Sequence, residues 1–171
     1  GVLDVTVDDD GTVRMTQNRP EVRRVDVDYE RVGDVLGIDP AALRDVGADV
    51  PVAVASTGLP FLMVPVNFFE RLSAAEPDAA AVETLTDEYG AAGVYAFTFD
   101  TLDAESTLHA RMFAPGAGVP EDPVTGTASG ACGAYLDRFG ALDPTPETML
   151  FEQGHFVDRD GLVRVDASDA T

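Results

Sequence analysis

Arg111-Met112-Phe113-Ala114-Pro115-Gly116-Ala117-Gly118-Val119-Pro120-Glu121-Asp122-Pro123-Val124-Thr125-Gly126-Thr127-Ala128, continuing through Ser129-Gly130-Ala131-Cys132-Gly133-Ala134-Tyr135-Leu136, is the stretch on which the fold turns. A strand ends near Phe113, and a loop rich in Gly and Pro follows, able to take the backbone angles a sharp turn needs. Two carboxylates come next, then a proline, then a small-residue turn into a helix over Val124 to Phe139, ended by Gly140. The first amides of a helix have no partners within it. The helix dipole favours an anion beside them, by ~0.3–1 kcal/mol when exposed and up to ~2 kcal/mol when partly buried. Gly126 would let a ligand reach the backbone, and the hydroxyl of Thr125 or Thr127 could add a hydrogen bond. The same residues also suit a plain helix start, with Thr125 as N-cap and Glu121 and Asp122 offsetting the dipole. On these residues alone the two readings stand level.

The helix moves the balance. Gly126, Ala128, Ser129, Gly130, Ala131, Cys132, Gly133 and Ala134 are all small. An interior glycine costs an exposed helix ~0.8–1 kcal/mol relative to alanine, so Gly130 and Gly133 require stabilisation from elsewhere. Close packing against strands would supply it. The expectation is a buried helix wrapped by a sheet or barrel, with its N-terminus at a site. The alternative, a marginal surface helix, fits less well because the run has no continuous polar face.

Outward from this stretch, strands and helices intersperse. Val2 to Val7 and Val13 to Gln17 flank Asp8-Asp9-Asp10-Gly11 and predict a β-hairpin. Tyr29 to Leu36 has helical spacing, with Asp28 to cap its start and Gly37 its end. Asp39-Pro40 opens another short helix. Val50 to Ser56 and Phe61 to Val66 predict strands around Thr57-Gly58-Leu59-Pro60. Asn67 and Glu70 suit a capping pair for a helix over Phe68 to Leu72. Pro77-Asp78 opens a helix to about Tyr89, closed by Gly90. Val94 to Phe99, Thr107 to Phe113, Met149 to Gln153 and Leu162 to Val165 predict strands. Many strands adjoin without an intervening helix, which favours an α+β fold with a mixed, curved sheet over a doubly wound parallel one. No linker divides residues 1–171, so a single lobe is expected. Phe61, Leu62 and Met63 could line a pocket near Gly58, although such runs more often belong to a core.

Charge restricts the partners. There are 31 acidic residues against 11 basic ones, a net charge of -20, and every basic residue is Arg. Such a surface repels nucleic acid and anionic membranes. Molar salt shortens the Debye length to roughly 3 Å and screens its self-repulsion. This composition points to a halophilic protein of a high-salt cytoplasm, with a haloarchaeal source; the other reading is an acidic protein of an ordinary cell. Cys132 is the only cysteine, so no internal disulfide can form. It falls about two helical turns beyond Thr125 and is expected in the core. Nothing approaches the ~18 apolar residues of a membrane span. Gly116-Ala117-Gly118 lacks the third glycine of a dinucleotide fingerprint, and there is no P-loop lysine. No His/Cys cluster has zinc-site spacing.

Three segments together resemble the PhzF-like phenazine-biosynthesis family, which shares its fold with diaminopimelate epimerase. The family's Arg-x-Phe-x-Pro is matched by Arg111, Phe113 and Pro115, and its Glu-Asp-Pro-Ala-Thr-Gly-Ser-Ala by Glu121 to Ala128. Ser56-Thr57-Gly58-Leu59-Pro60-Phe61-Leu62 and Glu152-Gln153-Gly154 are similar to two further family segments. The resemblance implies a two-lobed fold in which each curved sheet wraps a central helix, with the active site between the lobes. It implies an isomerase that moves a proton on a small carboxylate-bearing substrate, by acid/base catalysis without metal or organic cofactor. Asp122 would be catalytic, Gly126 and Thr127 would bind the substrate carboxylate, and Thr125, Glu121 and Gly58 would complete the substrate-binding set. Thr127 stands where the family has Ser. Thr125 stands where diaminopimelate epimerases carry a catalytic Cys. The family's principal catalytic Glu and its Gly-His-Ala-Thr-type segment have no counterpart, so the chain is expected to be the second lobe, with the first lobe as its partner and homodimerisation open. An amino- or hydroxy-acid epimerase or racemase, and a binding module without chemistry, are the alternatives. His109 and His155 lack the expected neighbours and read as structural or exposed. Arg111 could form a bidentate pair with Asp122 or Glu121, or lie on the surface.

Overall fold

The computed structural model describes residues 3–47 and 49–166. Alternating residues across the Asp-Gly turn form β1 (Val5–Val7) and β2 (Val13–Met15), an antiparallel pair in register Val5↔Met15 and Val7↔Val13. The turn closes through Asp8, whose amide donates to Thr12 O and whose carbonyl accepts from Gly11 N. Val2 lies outside the described residues. Cross-strand partners share a face, so Val5, Val7, Val13 and Met15 make one apolar side of this ribbon. Val5, Val7 and Val13 are 55%, 68% and 64% exposed. The ribbon is a sheet of its own.

The main sheet holds β3 (Glu21–Arg24), β4 (Ala53–Ser56), β5 (Pro60–Pro65), β6 (Gly93–Thr98), β7 (Leu108–Ala114), β8 (Val119–Asp122), β9 (Thr148–Gln153) and β10 (Gly161–Asp166). Its order is β10-β9-β7-β6-β5-β4-β3, with β8 also on β7. The β5–β6 and β7–β9 pairs are parallel and the others antiparallel. The sheet is therefore mixed, as expected. Neither β3 nor β8 was expected. Three of the four β3 residues are charged, Glu21, Arg23 and Arg24, which suits an edge strand and hides strand periodicity. β8 sits inside the Gly/Pro loop, after a 3-10 turn over Pro115–Ala117.

The sheet separates two cores. On one side lie α1 (Tyr29–Leu36), α2 (Pro40–Arg44) and α4 (Ala79–Tyr89). Their starts are capped by Asp28, Asp39 and Asp78, and Gly37 and Gly90 end α1 and α4. Val32, Leu36, Leu43 and Leu85 pack there with Val54, Leu62, Val64 and Val94. The opposite face presents Ala53, Ala55, Phe61, Met63, Tyr95 and Phe97 to α5 (Gly126–Arg138). Phe61, Leu62 and Met63 thus all serve the cores, on alternate faces. The short α3 (Phe69–Ser73) departs from expectation at its start. Its cap position is Phe68 rather than Asn67, and Phe69 N is met by Asp100 Oδ2 at 2.9 Å, from the loop after β6. An acceptor from a distant loop replaces the local capping pair.

α5 is the central element. Ala128, Ala131, Cys132, Tyr135 and Leu136 have no exposed surface. The helix touches β3 and β4 near one end of the sheet and β10 at the other, so the sheet curves around it. The small residues permit that approach. A Cβ at Gly133 would stand 2.6 Å from Val165 Cγ1 of β10. The surface-helix alternative is set aside. Cys132 lies in the core, where burial pushes its thiol pKa up.

Candidate functional site

The site forms where two strands share one edge of β7. β9 pairs with Leu108–Ala110 and β8 with Met112–Ala114, so the ends of β8 and β9 meet. Asp122 ends β8 and Gln153 ends β9, and both face α5. Gln153 is almost completely buried, at 1% exposure. Its Nε2 donates to Asp122 O at 2.7 Å and to Thr125 Oγ1 at 3.0 Å, while its Oε1 accepts from Thr125 N at 3.2 Å. One carboxamide thereby pins both ends of the turn between β8 and α5.

Thr125 resolves the question of capping. It occupies the N-cap position of α5 but makes no side-chain cap. Its hydroxyl donates to Asp122 Oδ2 at 2.7 Å instead. The plain-cap reading of Thr125 therefore fails, because the hydroxyl is committed to the carboxylate. The first amides of α5 have no partner within the helix, and at its mouth Gly126 and Thr127 are half-buried. Beneath it, Ser129 Oγ donates to Thr125 O at 2.7 Å, which leaves Tyr95 OH to donate to Ser129 Oγ at 3.3 Å.

The β4–β5 turn reaches the same place. Thr57 Oγ1 lies 2.5 Å from Gln17 Oε1 and 3.3 Å from Thr127 O, and Gln17 Nε2 donates to Gly126 O at 2.8 Å. Gly58 is exposed beside it, with φ 131 and its amide donating to Ser56 Oγ. The structure thus gathers Asp122, Thr125, Gly126, Thr127 and the Gly58 turn around the start of α5.

Glu121 is elsewhere. Adjacent strand residues face opposite ways, and its carboxylate points away from α5 into a bidentate pair with Arg111, at 2.8 and 3.0 Å. Arg111 Nη1 also donates to Leu72 O and Ala75 O, and Phe156 stacks 4.5 Å from the guanidinium carbon. The structure thus places the Glu121 side chain, expected among the substrate contacts, in a pair with Arg111 apart from the residues gathered at α5. A shallow recess of about 180 Å³ beside this pair, lined in part by Pro77, Val82 and Pro120, lies on the α4 side of the sheet.

The same outer face holds the buried His109, whose Nδ1 is 2.8 Å from Glu152 Oε1. Burial holds the His109 pKa below its ordinary value, against the opposing pull of Glu152. Burial raises the Glu152 pKa, but hydrogen bonds from His109, Leu102 N and Asp103 N outweigh it and hold the carboxyl low. His155 is exposed beside Asp160. Neither histidine belongs to the α5 site. Among the described residues, no group of three or more His, Cys, Asp or Glu could hold a metal ion, and no helix is long and apolar enough to cross a membrane.

Sequence reasoning met Thr57 and Gln153 only as members of family segments, without giving them a role at the site, and did not single out Gln17. Gln153 carried a signal: Met149, Phe151 and Gln153 alternate on one face, so the last is polar where the first two are core. Gln17 carried none, since its partners lie across the fold.

Comparison with known proteins agrees with this fold. The model of the PhzC-PhzF family, phenazine biosynthesis-like protein, matches residues 1–171. An uncharacterized isomerase of Bacillus subtilis is 33% identical over 174 residues, covering 99% of this chain and 58% of the relative. Another, from Deinococcus radiodurans, is 34% identical over 140 residues, covering 81% of this chain and 44% of the relative. The crystal structure of a Bacillus anthracis phenazine biosynthesis protein of the PhzF family superposes with TM-score 0.80 at 28% identity, over 95% of this chain and 55% of that one. A predicted epimerase of Pseudomonas aeruginosa gives TM-score 0.71 at 27% identity, over 92% and 51%. The chain spans little more than half the length of the curated relatives it matches most fully.

Proposed function

Because the chain belongs to the PhzC-PhzF, phenazine biosynthesis-like family, whose curated relatives are named isomerases, we propose that it supplies half the active site of an isomerase that moves a proton on a small carboxylate-bearing molecule. The observation that carries the reading is the uncapped start of α5 beside a tethered carboxylate. The amides of Gly126 and Thr127, with the Thr127 hydroxyl, would take the substrate carboxylate. Thr125 steadies Asp122 through one oxygen and leaves Oδ1 to hold an amino or hydroxyl group of the substrate, or to serve as partner acid/base. The principal base, a Glu by family resemblance, would come from a first lobe. The apolar ribbon of β1 and β2 suits burial against that lobe, since a lone hairpin is marginally stable.

A cytoplasmic setting, dependence on salt and freedom from cofactors belong to the same proposal. An epimerase or racemase is the second reading, favoured by the likeness to the predicted epimerase of Pseudomonas aeruginosa. Thr125 opposes its two-thiol form, because a hydroxyl is a far weaker acid than a thiol with pKa ~8.5. The deciding experiment is Asp122→Asn in the intact protein. Acid/base catalysis contributes ~10²–10⁴-fold, and a loss of turnover in that range is expected. Unchanged turnover and binding would remove Asp122 from the site. Absence of thermal stabilisation by small aromatic or aliphatic carboxylates in the unmodified protein would favour a binding module of another kind.

A further inference from the structure

We infer that Gln17 is a positioning residue for the carboxylate-binding turn of α5, locked in place by the absence of a side chain at Gly130; the inference rests on the reading of that turn given above. Gln17 lies two residues beyond the end of β2, yet its carboxamide is spent on α5 and on the β4–β5 turn. Nε2 donates to Gly126 O, and Oε1 accepts from the Thr57 hydroxyl. Each end of the carboxamide has a partner of the matching kind, which fixes its orientation. Thr57 in turn approaches Thr127 O at 3.3 Å. Of the two residues whose amides would hold the substrate, Gly126 is therefore held directly by its carbonyl, and Thr127 lies against the hydroxyl that Gln17 orients.

Gly130 explains how Gln17 reaches that position. A Cβ at residue 130 would collide with Gln17 Oε1 and stand 2.6 Å from its Cδ and 2.8 Å from its Nε2. At Gly126 a Cβ would meet only Met15 Cε at 3.4 Å, an ordinary contact. The segment from Met15 to Gln17 thus lies across the first turns of α5, and Gly130 is the glycine that makes room for it. Gly133 is explained instead by contact with β10. Gln17 also links the exposed β1–β2 ribbon to the site in three residues of chain. A movement of the ribbon would be felt at Gly126 and Thr127. Asn18 extends the contact, its Nδ2 lying 3.0 Å from where a Cβ at Gly58 would stand.

The test uses the intact protein in molar KCl, with benzoate and succinate as carboxylate probes and benzamide as a neutral control. Gln17→Met keeps the length and loses both hydrogen bonds. It should weaken binding of the carboxylate that the unmodified protein takes best by about tenfold, the effect of one or two ordinary hydrogen bonds, and leave benzamide unaffected. Gly130→Ala should push the Gln17 carboxamide aside and weaken carboxylate binding about as much as Gln17→Met, and the Gln17→Met/Gly130→Ala double variant should bind no more weakly than either alone, because both changes break the same contact. Carboxylate affinity unchanged in Gln17→Met would overturn the positioning role. Additive losses of affinity in the double variant would overturn the lock with Gly130. An unmodified protein that binds neither carboxylate would overturn the carboxylate reading itself and this role with it, and that outcome is told apart because it appears without any substitution.

Discussion

Gly154→Ala should be among the most damaging single-atom changes available to this chain, and its cost can be worked from two parts. Gly154 has φ 90, in the left-handed region, where an L side chain costs ~1–2 kcal/mol. The added Cβ would also collide with the carbonyl oxygen of Arg159 and stand 2.6 Å from that of Pro123. Both neighbours are backbone, so neither can swing aside, and overpacking of this kind costs ~1–3 kcal/mol. The sum is about 2–5 kcal/mol. A chain of this size loses about 2–4 °C per kcal/mol, giving a fall of about 4–20 °C. Gly90→Ala is the control, because φ is 67 there but nothing lies within 4 Å of the new atom. It should show the strain alone, about 2–8 °C by the same conversion. Thermal unfolding followed by circular dichroism in molar KCl measures both. The Pro123 carbonyl belongs to the turn that carries Asp122, and a misplacement of ~1 Å at a reacting group can cost about 10²-fold in rate. Gly154→Ala should therefore lose activity at temperatures where it remains folded. If it melts no lower than Gly90→Ala, the account of a rigid turn under Asp122 is wrong.

Arg111→Met should cost about 3–5 kcal/mol in urea unfolding, since it leaves the Glu121 carboxylate nearly buried without its partner; a loss below ~1 kcal/mol would show that pair to be exposed in solution. With 31 acidic residues against 11 basic ones, the unmodified protein should gain melting temperature steadily from dilute buffer to molar KCl, and a flat series would remove the halophilic reading. The His109 pKa is held low in the folded state, first by burial, so the unfolded chain takes up the proton more readily. The stability it contributes is complete above the unfolded value of about 6.5 and is lost as pH falls through the folded one. Glu152, also held low, adds a loss of the same sign at lower pH. His109→Asn should flatten the stability curve between about pH 7 and 5, and an unchanged slope there would contradict the assignment.

Much of the fold was legible because it depends on local chemistry. Asp28 with Gly37 and Asp78 with Gly90 delimit α1 and α4 as the sequence led one to expect. The small residues of α5 announced a buried helix before any strand was placed around it. The losses came where partners are distant. β3 is a charged edge strand defined by pairing with β4, and β8 exists because β7 offers the half of its edge that β9 leaves free. The cap of α3 comes from Asp100, across the sheet connection. In the site, the family segments located Asp122, Gly126 and Thr127, while strand alternation could have separated Glu121 from Asp122. Gln153 was readable from its face. Gln17 was not, because nothing in Thr16-Gln17-Asn18 indicates that it meets a helix more than a hundred residues away.

The most direct measurement follows the backbone amides of Gly126 and Thr127 by nuclear magnetic resonance while a small carboxylate is titrated into the intact protein. The account predicts that these two amide protons move downfield together and saturate at one affinity, with Asp122→Asn changing that affinity and Glu121→Gln leaving the two shifts in place. Shifts confined to other residues, or a response at the Arg111–Glu121 recess with none at α5, would contradict it.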